Sequence, residues 1–165
     1  MILICAASSG HNLTMAEHIA KEASVVGLET ELLDLTRTEL PMYTPDREAQ
    51  GVPSMLPELE KRFIRAEGYV VCSPEYNGSV PPVLTNTIAW LSVQSEDFRA
   101  LFNGKPVALA THSGGHGAKA LMAMRIQFSH LGCTILGRDL TANKNKPFNP
   151  ASAQRVLGQL KALTA

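Results

Sequence analysis

Three short polar stretches carry residue types from which a small-molecule site could be built. The first, Ser8-Ser9-Gly10-His11-Asn12-Leu13-Thr14, stands between an apolar run and a segment of helical periodicity. At a helix N-terminus the backbone N–H groups point outward and the helix dipole favours negative charge, and hydroxyls add further donors. By itself this stretch reads as an anion site or as a plain helix cap, and its residues leave both open. It has no Gly-x-Gly-x-x-Gly and no phosphate-loop lysine, so a phosphate monoester suits it better than a dinucleotide or a triphosphate. The second stretch, Ser73-Pro74-Glu75-Tyr76-Asn77-Gly78-Ser79, holds an Asn-Gly turn and an aromatic ring. The third, His112-Ser113-Gly114-Gly115-His116-Gly117, is glycine-rich enough to let backbone approach a ligand closely. His112 and His116 are four apart, as zinc ligands on a helix would be. However, they flank glycines and no third ligand is apparent, so no metal is expected.

Strands and helices must hold these stretches. Residues 2–7 form a continuous apolar run, the pattern of a strand covered on both faces. A helix is expected at 15–23, with Met15, Ile19 and Ala23 on one stripe. A strand at 29–35 leads into a long polar, proline-bearing loop at 36–52. A helix follows at 53–66 on the stripe Leu56, Leu59 and Phe63, then an apolar strand at 68–72. Pro74 stops that strand, Ser79 is the expected N-cap, and Pro81 and Pro82 fall in the first turn of a helix carrying Leu84, Ile88 and Leu91. Strands at 105–111 and 133–137 and helices at 118–131 and 151–163 complete the pattern, with a polar loop at 143–150. Alternation of this kind predicts an α/β fold of three layers, a doubly wound five-stranded parallel sheet in the order 2-1-3-4-5. In such a sheet ligands bind at the carboxyl ends of the strands, beside the switch point between the first and third strands. The first two polar stretches open there, which favours the anion reading of the first.

The chain has 165 residues, the size of a single domain over 1–165. Fifteen basic residues balance fifteen acidic ones, so no nucleic-acid surface is expected, and the balance speaks against a strongly acidic electron carrier. Cys5, Cys72 and Cys133 lie in or beside apolar runs with no ligand spacing. They read as small core residues in a reducing compartment, the cytoplasm. No apolar run reaches the length of a membrane span.

Pro74-Glu75-Tyr76-Asn77-Gly78-Ser79, with Pro81, Leu84, Asn86, Ile88 and Trp90-Leu91-Ser92, resembles the signature of the NADPH-dependent FMN reductase family. The resemblance covers nearly the whole chain and implies a flavodoxin-like fold with bound FMN. It implies that Ser8, His11, Asn12, Leu13 and Thr14 hold the phosphate end. Pro74, Glu75, Tyr76, Asn77 and Gly78 would border the ring, and His112, Ser113, Gly114 and Gly115 would close its other edge. Where the family carries Gly-Ser-x-Arg, this chain has Ala7-Ser8-Ser9-Gly10. The arginine is absent, which leaves the phosphate to neutral donors and the helix dipole. The reaction implied is hydride transfer from NADPH or NADH to the flavin. Electrons would then pass to free flavin, a quinone, an azo compound or a metal oxyanion. That chemistry belongs to the cofactor, so no side chain is assigned as catalytic. The alternative is a flavodoxin-like FMN-binding electron carrier without nicotinamide activity, and a third reading is a fold that has lost its flavin. The family's dimers imply a homodimer or homotetramer. Trp90 stands off the Leu84, Ile88 and Leu91 stripe, and the segment 118–131 is apolar over a wide arc. Together they suggest an interface; the other place for Trp90 is beneath the 36–52 loop.

Overall fold

β1 (Ile2–Ala6), β3 (Gly68–Cys72) and β4 (Pro106–His112) are buried along almost their whole lengths, because helices cover both faces of the sheet they form. The computed structural model describes residues 1–94 and 97–164. β2 (Thr30–Asp34) lies beside β1, and the parallel order is β2-β1-β3-β4-β5. Side chains alternate strictly between faces. Leu3, Cys5, Tyr69, Val71, Val107 and Leu109 join one core with α3 (Leu56–Arg65), α4 (Pro82–Leu91) and α5 (Ala118–His130). Ile2, Ile4, Val70, Cys72, Ala108 and Ala110 join the other, with α1 (His11–Val25) and α6 (Pro150–Leu163). The doubly wound reading and its strand order therefore hold.

Several boundaries differ from expectation. α1 begins at His11 rather than Met15, so His11, Asn12, Leu13 and Thr14 are its first turn and not a loop. The 36–52 segment is not wholly irregular: α2 (Pro45–Ala49) starts at Thr44, whose hydroxyl accepts from Arg47 N at 3.0 Å. Ser79 does not cap α4. Its backbone is held in a two-way bridge with Tyr76, N–H to O at 2.8 and 3.0 Å, which leaves Pro81 as the cap residue. Asn77 and Gly78 both have positive φ, 50° and 79°, as a tight primed turn requires.

The fifth strand is in two pieces. β5 (Thr134–Ile135) pairs with Pro106 and Val107, and β6 (Leu140–Ala142) pairs further along β4 with Ala110, Thr111 and His112. Between them Arg125 of α5 donates to Leu136 O at 3.2 Å and ion-pairs with Asp139, so the chain leaves the sheet and returns. The return brings 143–149 to the carboxyl edge of the sheet.

Trp90 is fully buried within the chain, not presented to a second subunit. Its Nε1 donates to Pro41 O at 2.7 Å and the Tyr43 ring packs edge-on to it at 5.3 Å. Asn86 donates to Pro41 O as well and accepts from Tyr43 N, so α4 fastens the 36–52 segment down. The breadth of α5 has a different outcome: Leu121, Met124 and Phe128 are buried, whereas Met122 and Ile126 are 57% and 65% exposed. The three thiols are buried and free, and burial pushes Cys5 and Cys133 each up to about 12, which keeps them unreactive.

Candidate functional site

All the strands are parallel, so the segments after β1, β3, β4 and β6 open on one edge of the sheet. The first of these runs through Ser8, Ser9 and Gly10 into α1. Leu13 N and Thr14 N donate back to Gly10 O. Among the described residues, no protein group accepts from the backbone N–H groups of Ser9, Gly10, His11 or Asn12. Orphan donors at the start of a 15-residue helix are suited to an anion.

Asn12 departs from expectation. Its side chain is 2% exposed and meets the backbone of His112 twice, with Nδ2 donating to His112 O at 2.9 Å and Oδ1 accepting from His112 N at 2.8 Å. Both ends of the amide are spent on joining the first loop to the third. Leu13 packs toward the α1–α6 core, so only its backbone reaches the edge. Thr14 and His11 are exposed there. The His11 and His112 rings stack with centroids 4.5 Å apart.

The second and third loops are also joined. Glu75 N donates to Ser113 Oγ at 2.9 Å, and Ser113 Oγ shares a hydrogen bond with Thr111 Oγ1 at 2.8 Å. The Glu75 carboxylate accepts from Lys119 N at 3.1 Å, in the first turn of α5, so it serves as a cap from a distant loop. Pro74 and Ser113 are buried, whereas Tyr76 and Asn77 stand exposed beyond them. At Gly114 and Gly115 an added Cβ would meet nothing within 4 Å, so their backbone faces open space. Gly117 is the reverse: φ is 65°, and a Cβ there would come within 2.7 Å of Thr111 Cγ2. Glu75, Ser113 and residues 114–119 bound a hollow of about 270 Å³. Among the described residues no cluster of His, Cys, Asp or Glu is arranged to hold a metal.

Residues 1–147 match the family described as NADPH-dependent FMN reductase. The chain belongs to that family. A NAD(P)H-dependent FMN reductase of Pseudomonas aeruginosa is 33% identical over 121 residues, 73% of this chain and 60% of that protein. A NADPH azoreductase of Bacillus sp. is 35% identical over 117 residues, 70% of this chain and 59% of its own length. Quinone reductase of Escherichia coli is 38% identical over 78 residues, 47% of this chain, and the match spans only 40% of that enzyme. FerB, a flavoenzyme NAD(P)H:(acceptor) oxidoreductase from Paracoccus denitrificans, superposes with a TM-score of 0.75 at 22% identity, over 99% of this chain and 94% of its own. A flavodoxin from Megasphaera elsdenii superposes at 0.64 with 17% identity, over 100% of each chain. The last two comparisons speak to the fold alone.

FMN is the cofactor of this family, and the edge fits it in two respects. Free N–H donors at the start of α1 suit a phosphate, and the open backbone of Gly114 and Gly115 leaves room for a flat ring. The polar loop at 143–150 carries no recognisable motif, yet it forms a wall of the edge. Asn143 Nδ2 donates to Gly115 O at 3.1 Å, and Asn143, Pro147 and Phe148 line a groove of about 200 Å³ with His11, Thr14, His18 and His112. The signal was present only as the short alternation Leu140-Thr141-Ala142, too brief to separate from loop.

Proposed function

We propose that the chain is an FMN-dependent oxidoreductase that takes a hydride from NADPH or NADH and passes electrons to a small acceptor such as free flavin, a quinone or an azo compound. The observation that carries this reading is the convergence of three loops, after β1, β3 and β4, on one sheet edge in a chain of this family. Relatives named as FMN, quinone and azo reductases support the acceptor class. When bound, FMN supplies the hydride-accepting and electron-donating chemistry. The chain's part is to hold and orient it. Ser8, His11 and Thr14, with the free N–H group of Asn12, serve the phosphate end, and Leu13 shapes the same first turn through its N–H bond to Gly10 O. Pro74, Glu75, Tyr76, Asn77 and Gly78 border the ring, with the backbone of His112 and with Ser113, Gly114 and Gly115 opposite, while the His112 ring turns to His11 at the start of α1. The carrier reading is set aside, since the named reductase relatives and the balanced charge both favour nicotinamide chemistry.

Anaerobic mixing of the flavin-loaded protein with NADPH or NADH tests the reading. Bleaching of the flavin absorbance is the expected result, and a flavin that stays oxidised with both nucleotides would overturn it. Thr14→Ala should weaken FMN by about 1 kcal/mol or more through one lost donor to a charged acceptor, while riboflavin, which lacks the phosphate, binds as before. An equal loss for the two ligands would remove Thr14 from the phosphate.

The assembly we propose is a homodimer or homotetramer of a single flavin-binding domain over 1–165, and the exposed Met122 and Ile126 on α5 support it. Buried, unbridged thiols support the cytoplasm as its compartment. Among the described residues no helix is long and apolar enough to cross a membrane.

A further inference from the structure

The groove beside the start of α1 holds three imidazoles. His11, His18 and His112 line it together with Thr14, Met15, Asn143, Pro147 and Phe148, and no described Asp or Glu does so. Two of the rings, His11 and His112, are stacked at 4.5 Å, and His11 is the first residue of α1. Asn12 holds His112 in this place through both of its backbone groups. The remaining histidine, His18, leans against the Phe148 ring at 5.4 Å.

We propose that the stacked His11–His112 pair supplies the positive charge that the missing arginine would otherwise bring to the FMN phosphate, by taking up a proton as the phosphate binds. The assignment rests on the flavin reading given above. It follows from which groups surround the pair. From α1 they are His18 and the positive end of the helix dipole. From the segment after β6 they are Asn143, Pro147 and Phe148, none of them charged, and Lys146 Nζ of that segment donates to Thr141 Oγ1 at 2.9 Å. No described residue of the second loop lines the groove, and that loop's carboxylate, Glu75, accepts from Lys119 N. From the third loop it is His112 itself, His116 bordering the separate hollow beside Glu75. No described residue that lines the groove is an anion, so no carboxylate there favours an imidazolium in the free protein. Burial and the facing His11 ring hold His112 below the ordinary histidine range. A dianionic phosphate at the same helix end reverses that balance.

The sign of the pH dependence follows. With the phosphate bound, the pKa of His112 lies above its free-state value. The added affinity is therefore full below the free-state pKa and is lost as pH rises through the bound-state pKa. Phosphate monoesters lose their second proton near pH ~6, so above about pH 7 the ligand is already a dianion and any proton taken up goes to the protein.

The experiment is calorimetric titration of the apo-protein with FMN at about pH 7.5, in non-phosphate buffers of different ionisation enthalpy, with riboflavin as the second ligand. The expected result is uptake approaching one proton with FMN and none with riboflavin. The FMN Kd should rise roughly tenfold between about pH 7 and pH 8.5. The double variant His11→Gln, His112→Gln should bind FMN without proton uptake and with a flat pH profile. FMN binding to the wild type without uptake, or with the same uptake for riboflavin, would overturn the assignment while leaving the flavin reading in place. Uptake retained by the double variant would overturn it too. If FMN did not bind at all, both would fall.

Discussion

Replacing Asn12 with alanine should destabilise the protein by about 2–4 kcal/mol, because two partly buried backbone groups of His112 lose their partners together. It should also weaken FMN and riboflavin alike, since the Asn12 amide ties the loop after β1 to the loop after β4. Loss of that tie frees the His112–Gly117 loop on which the ring edge depends. Asn12→Asp separates packing from hydrogen bonding. It keeps the size and one acceptor for His112 N, but sets a carboxylate against the His112 carbonyl, where a donor is required. That variant should be no more stable than alanine. Urea denaturation beside FMN titration of each variant makes the measurement. Wild-type stability with only FMN lost would mean that Asn12 touches the phosphate directly, and would count against the clamp.

Trp90→Glu should abolish folding rather than split an oligomer. Trp90 is wholly buried, and removing so large a ring from a core costs about 3–5 kcal/mol before the carboxylate's own burial is counted. A domain of this kind has only about 5–15 kcal/mol to lose. Trp90→Phe keeps most of the packing and gives up the Nε1 bond to Pro41. It should fold with a loss of about 1–3 kcal/mol, keep the wild-type mass and release the segment around Pro41 and Tyr43 to proteolysis. Circular dichroism with light scattering distinguishes the outcomes. A well-folded Trp90→Glu protein of reduced mass would return this residue to a subunit interface.

The two variants concern different kinds of legibility. Trp90 was visible in the sequence as a residue off the helical stripe, but its partner was not. An off-stripe aromatic on an amphipathic helix has the same local pattern whether a second subunit or a distant loop of the same chain covers it. Asn12 was visible as a polar residue at a helix start, where a ligand contact and a bond to residue 112 look alike. Glu75 is a third case. A solvated charge and a cap for α5 share one sequence, and only the approach of Lys119 N shows that the Glu75 carboxylate caps that helix.

What the sequence determined by itself is the succession of strands and helices, the two covered faces of the central strands and the loops that open at the site. Those features come from local signals: unbroken apolar runs for the central strands, helical stripes at Leu56, Leu59 and Phe63 or at Leu84, Ile88 and Leu91, and Asn77-Gly78 for a turn at positive φ. What only the tertiary structure decided is which side chains those loops spend on one another. Asn12 on His112, Glu75 on α5, His11 stacked on His112 and Asn143 on Gly115 join residues 28 or more positions apart along the chain that no periodicity links. Local patterns set where the backbone goes. The partner of a polar side chain is set by whatever the folded sheet brings within about 3 Å of it, and that distance exists only once the strands are in register.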